Sequence, residues 1–140
     1  MTKPSRRKPQ VPWAELFAAA TAARKRAYAP YSRFAVGAAV LCEDGSIIAG
    51  CNVENASYGL SVCAERSAIA RMVQEGKRRL RAVAIVVDTQ RPTPPCGMCR
   101  QVMREFGGEE VPVRSRNLRG KEDRRTLGEL LPYAFTRAFL

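Results

Sequence analysis

At 140 residues, 46% of them hydrophobic, the chain has the size and composition of one globular domain with its own core, and no apolar run approaches the ~18 residues of a membrane helix. Basic residues outnumber acidic ones 24 to 13, for a net charge of +11, and most of them are arginine. Histidine is absent, which excludes His-based triads, His general bases and His metal ligands.

Residues 1–10 combine two prolines and four bases with no large apolar residue, so they read as a disordered basic tail ahead of a single domain over 11–140. They lack the apolar stretch of a secretory leader, which points to a cytoplasmic address. Pro12 suits a helix start, Leu16, Phe17 and Ala20 recur at helical spacing, and Pro30 is expected to close that helix near Ala29. Phe34 to Leu41, the turn Glu43-Asp44-Gly45-Ser46, and Ile47 to Ala49 form a hairpin signature. Cys51 to Leu60 reads as a loop, and Cys63 to Glu75 as a helix stopped by Gly76.

Ala82 to Val87 is the continuous apolar run of a central strand covered on both faces. Gly97 to Phe106 is a further helix, and Val111 to Val113 a brief strand that Pro112 assigns to an edge. The arginine-rich stretch Arg114 to Arg125 reads as a loop, and Thr126 and Glu129 are spaced as a capping box. Strands alternating with helices predict an α/β fold: one three-layer α/β/α domain with a mixed sheet.

Two segments carry chemistry. Cys63-Ala64-Glu65-Arg66 opens one helix, and Pro95-Cys96-Gly97-Met98-Cys99-Arg100 opens the next. Helix N-termini favour thiolate over thiol, and three thiolates leave a fourth zinc position open, as a catalytic site requires. Glu65 lies beside that position, where a carboxylate can move protons. Three thiolates overcompensate the metal's charge, so Arg66 and Arg100 are candidates to hydrogen-bond the sulfurs. Spacing alone leaves two alternatives open. One is a structural zinc site, with Cys42 or Cys51 as fourth ligand; the other is a redox pair.

Several further stretches are Tyr28-Ala-Pro-Tyr31-Ser32, Phe34-Ala-Val-Gly-Ala-Ala39 and Gly50-Cys-Asn-Val-Glu-Asn-Ala-Ser-Tyr-Gly59. With the two cysteine segments, they resemble the small homotetrameric cytidine deaminases of pyrimidine salvage, from about Trp13 to Phe135. The resemblance implies hydrolytic deamination of cytidine and 2'-deoxycytidine, with one Zn²⁺ per subunit on Cys63, Cys96 and Cys99 and with Glu65 as the catalytic proton carrier. It also implies that Asn52 and Glu54 bind the ribose, that Phe34 packs on the pyrimidine and that the Ala64 backbone reads the base carbonyl. Tyr58 and Phe135 are implied to reach neighbouring active sites across subunit interfaces. The expected partner is a small nucleoside, not nucleic acid or a membrane, because the bases are dispersed and not interleaved with aromatics. Two rivals remain. One is a deaminase of another aminated base, a nucleoside antibiotic or a polynucleotide cytosine, and the other is a zinc-stabilised binding module.

Overall fold

The computed structural model describes residues 9–140, so the tail expected over 1–10 lies outside it except for Pro9 and Gln10. The core is built on small and β-branched residues. Strand β1 (Val36–Cys42) is buried along its whole length and turns at Gly45, φ +89°, into β2 (Ile47–Cys51). Ala39 faces Ala49 in that antiparallel pair, so the predicted hairpin is present. β3 (Leu80–Val87) runs antiparallel to β1 on the other side and, among the described residues, is the middle strand of a five-stranded sheet completed by β4 (Pro112–Asn117) and β5 (Glu122–Thr126), in the order β2-β1-β3-β4-β5.

Alternation along β1 and β3 sends side chains to opposite layers. On one face, Leu16, Phe17 and Ala20 of α1 (Trp13–Arg24) pack on Ala39, Leu41, Ala82, Ala84 and Val86. On the other, α2 (Ala64–Gln74) and α3 (Gly97–Phe106) lay Ile69, Met72 and Met103 over Val40, Val83 and Ile85. Both faces of a mixed sheet are therefore covered by helices, as the order of elements predicted. Gly37 is required on the first face, because a Cβ there would stand 1.9 Å from the Ala20 carbonyl oxygen.

Three expectations need correction. Helix α1 ends at Arg24 rather than near Ala29, because Tyr28 is drawn into pairing with the 52–54 segment: its N–H donates to the Asn52 carbonyl and its carbonyl accepts from Glu54. The brief edge strand is longer and internal. β4 (Pro112–Asn117) lies parallel to β3 and antiparallel to β5 (Glu122–Thr126), with Pro112 at its first position, where the missing N–H is tolerated. The arginine-rich loop is thus a hairpin turning at Gly120, and two of its arginines are anchored on aromatic rings. Arg114 and Arg116 lie over the rings of Trp13 and Phe17 at 4.1 and 3.9 Å. The capping box of Thr126 and Glu129 is present at the short α4 (Leu127–Leu130).

Candidate active site

The antiparallel pairing of β1 and β3 puts Val36 beside Val87, so the start of one strand and the end of the other form one edge of the sheet. The helices α2 and α3 begin over that edge. Cys63 is the N-cap of α2, Cys96 is the N-cap of α3, and Cys99 sits in the first turn of α3. The sulfurs of Cys63 and Cys96 are 3.7 Å apart and those of Cys96 and Cys99 are 3.4 Å apart, with all three within 4.8 Å of one another. Tetrahedral zinc with Zn–S bonds of ~2.3 Å requires sulfurs ~3.8 Å apart, so the cluster fits that ion. Cys42 is fully buried in β1, and neither it nor Cys51 belongs to the group, so no fourth protein ligand joins it among the described residues.

The electrostatics favour thiolate. A hydrogen bond from Cys99 and a second from Arg66 pull the Cys63 thiol down to about 5 against the opposing effect of burial. Cys99 is instead pushed up by its bond to Cys63 and by burial, so within the pair the thiolate is favoured at Cys63. Arg66 reaches back from the first turn of α2, donating from Nη2 to Cys63 Sγ at 3.5 Å and to the Ser61 carbonyl at 3.2 Å. Arg100, the other candidate for a sulfur, points elsewhere. It donates to the carbonyls of Pro95 and Leu130, both at 2.8 Å, and so ties the turn before α3 to the end of α4.

A cavity of about 260 Å³ opens in front of the cysteines. Glu65, only 4% exposed, lines it, and burial raises its carboxyl above the ordinary range. A carboxyl whose hold on a proton is strengthened by burial is suited to general acid–base work. Ala64, the first residue of α2, also borders the cavity, and a backbone N–H at that position has no acceptor within its own helix. Phe34 forms part of the wall, and Asn52 and Glu54 stand toward the 31–34 loop.

Asn52 has a second task that its sequence context does not disclose. Its Oδ1 accepts from the Val36 N–H at 2.8 Å and its Nδ2 donates to the Phe34 carbonyl at 2.7 Å, which fixes the strand entrance carrying Phe34. One Nδ2 hydrogen remains for a ligand. Tyr58 and Phe135 do not line the cavity. Tyr58 is 76% exposed on a neighbouring recess beside Glu54, and Phe135 is 61% exposed, stacked on Phe139 with ring centroids 6.0 Å apart.

Residues 13–115 match the family model described as "Cytidine and deoxycytidylate deaminase zinc-binding region". A cytidine deaminase of Halalkalibacterium halodurans is 56% identical over 114 residues, covering 81% of this chain and 86% of that protein. One from Mycobacterium tuberculosis is 48% identical over 131 residues, covering 91% and 92%. The crystal structure of cytidine deaminase from Burkholderia pseudomallei superposes with a TM-score of 0.84 at 49% identity, covering 87% of this chain and 98% of that one.

Proposed function

The chain belongs to the zinc-binding cytidine and deoxycytidylate deaminase family, and we propose that it hydrolyses cytidine and 2'-deoxycytidine to uridine and 2'-deoxyuridine, releasing ammonia, in pyrimidine salvage. The observation that carries this reading is a single cavity lined by Cys63 and Cys96, by Glu65, and by Asn52 and Glu54. These groups match the two halves of a nucleoside: a base to be attacked and a sugar to be held.

Cys63, Cys96 and Cys99 would hold zinc, which supplies the Lewis acidity that brings water to a nucleophilic state near neutral pH. Glu65 accepts a proton from the water that adds to C4 and passes it to N3 of the ring. It then carries a second proton to the amine, which leaves as ammonia. The Ala64 N–H reads the base carbonyl, Phe34 packs on the pyrimidine, and Asn52 and Glu54 bind the ribose. Arg66 offsets the surplus negative charge of three thiolates.

Among the described residues no lysine or arginine lines the cavity, and Glu54 adds a carboxylate to its lining. A 5'-phosphate would meet repulsion there with no compensating cation, which favours a free nucleoside over a nucleotide or polynucleotide despite the net charge of +11. The active form is a homotetramer in which Tyr58 and Phe135 complete neighbouring sites; the exposure of both aromatic rings supports that role. Residues 11–140 act as one domain. No helix among the described residues is long and apolar enough to cross a membrane, and we assign the enzyme to the cytoplasm. Ultraviolet assays of cytidine, cytidine 5'-monophosphate and a cytosine-containing single-stranded oligonucleotide test the reading. It predicts turnover of the nucleoside alone, and preferential turnover of the oligonucleotide would overturn it.

A further inference from the structure

Glu54 stands on the 52–54 segment, but everything that orients its carboxylate comes from residues 31 and 32. Its Oε1 accepts from the backbone N–H groups of Tyr31 and Ser32 at 2.9 and 3.1 Å. Its Oε2 accepts from the Ser32 hydroxyl. That hydroxyl oxygen in turn accepts from the Phe34 N–H at 3.0 Å. Ser32 therefore sits between two walls of the cavity, with one bond to the residue assigned to the sugar and one to the residue assigned to the base.

The backbone is shaped for this. Arg33, between Ser32 and Phe34, has φ +57°, a left-handed conformation uncommon outside glycine. The turn aims two successive N–H groups at one oxygen, a concave arrangement suited to an anion. Next to it lies a second recess of about 350 Å³, bordered by Tyr31, Tyr58 and Ser61 and, like the cavity, by Ser32 itself. Glu54 borders both spaces, so its carboxylate has an alternative place to go.

We infer that Ser32 is a positioning residue for substrate recognition: its hydroxyl holds the Glu54 carboxylate toward the cavity and away from the recess, in register with Phe34. The inference rests on the assignment of Glu54 to the ribose. The Ser32 hydroxyl is also the largest influence holding the Glu54 carboxyl below its usual range, which keeps it an acceptor-only group that selects a donor hydroxyl. Ser32 touches no reacting atom, so its effect belongs in binding and not in the chemical step.

Ser32→Ala is the test, with cytidine as substrate and 2',3'-dideoxycytidine, which lacks the sugar hydroxyls at issue, as competitive inhibitor. Loss of an oriented charged acceptor predicts a KM for cytidine raised about tenfold, with kcat and the inhibition constant of the dideoxynucleoside each within about twofold. Ser32→Thr, which keeps the hydroxyl, restores KM. In a Glu54→Gln background, Ser32→Ala adds nothing further, because the residue acts through that carboxylate. An unchanged KM, a parallel rise in the inhibition constant, or additive effects in the double variant would each overturn the inference while leaving the deaminase reading intact. Absence of cytidine turnover by the unmodified protein would overturn both.

Discussion

Arg66 Nη2 lies 3.5 Å from Cys63 Sγ, and the two residues are three positions apart across the start of α2. The helix that presents the sulfur thus also brings its counter-charge. Removing that charge leaves three thiolates with only the helix ends to offset them. Arg66→Ala is expected to weaken zinc binding by about 10–100-fold and to shift the acidic limb of the pH–rate profile. Competition with a chelating dye and a pH profile of kcat measure the two effects. If neither changes, Arg66 serves only to hold the Ser61 carbonyl.

Gly50 makes a different connection to the same helix. A Cβ at this position in β2 would come within 2.5 Å of the Ala68 nitrogen and 2.9 Å of the Ala64 carbonyl oxygen, both backbone atoms that cannot swing aside. Gly50→Ala must therefore push α2 away from the sheet, and α2 carries Glu65 and is capped by Cys63. We expect a loss of about 1–3 kcal/mol in urea denaturation, together with reduced kcat in the folded fraction. Unaltered stability would mean that β2 yields instead of the helix.

The Cys-x-x-Cys turn, the helix start at Cys63 and the central strand were legible because each depends on local spacing: two cysteines on one helical turn, an N-cap, an unbroken apolar run. The β4–β5 hairpin was not. Its inward positions on β4 are Val113, Ser115 and Asn117, and β5 reads Glu-Asp-Arg-Arg-Thr, so no hydrophobic alternation marks either strand. Those strands are held by the edge that β3 offers, by arginines over Trp13 and Phe17, and by polar anchors. Ser115, for example, donates to the Thr93 carbonyl at 2.6 Å, and the Asn117 amide donates to the Thr89 carbonyl at 3.0 Å. The alternation of arginine with small polar residues was the available signal, but it has the same composition as a solvated loop. The dependence of Glu54 on Ser32 was hidden for a similar reason, because it joins two loops 22 residues apart.

Glu122 is the anion among those arginines. Burial raises its carboxyl, but the hydrogen bond and charge of Arg116, followed by Arg124, outweigh burial and hold it below the ordinary 4.5. A depressed value in the folded state means stability that is present above pH 4.5 and is lost as the pH falls through the folded value. Glu122→Gln should lower the melting temperature by about 3–6 °C at pH 7, and the difference should close at an acidic pH below the folded value. A gap of the same size at both pH values would assign the effect to packing and not to charge.

Whether the cysteine cluster serves chemistry at Glu65 and not the fold alone is decided by Glu65→Ala, assayed for bound zinc and for cytidine turnover on the same sample. Zinc analysis should find the metal retained, because the three sulfurs are untouched, while turnover falls by at least about 10²–10⁴-fold through loss of the proton carrier. Retained zinc with undiminished turnover of cytidine would mean that the carboxyl lining the cavity has no part in the reaction.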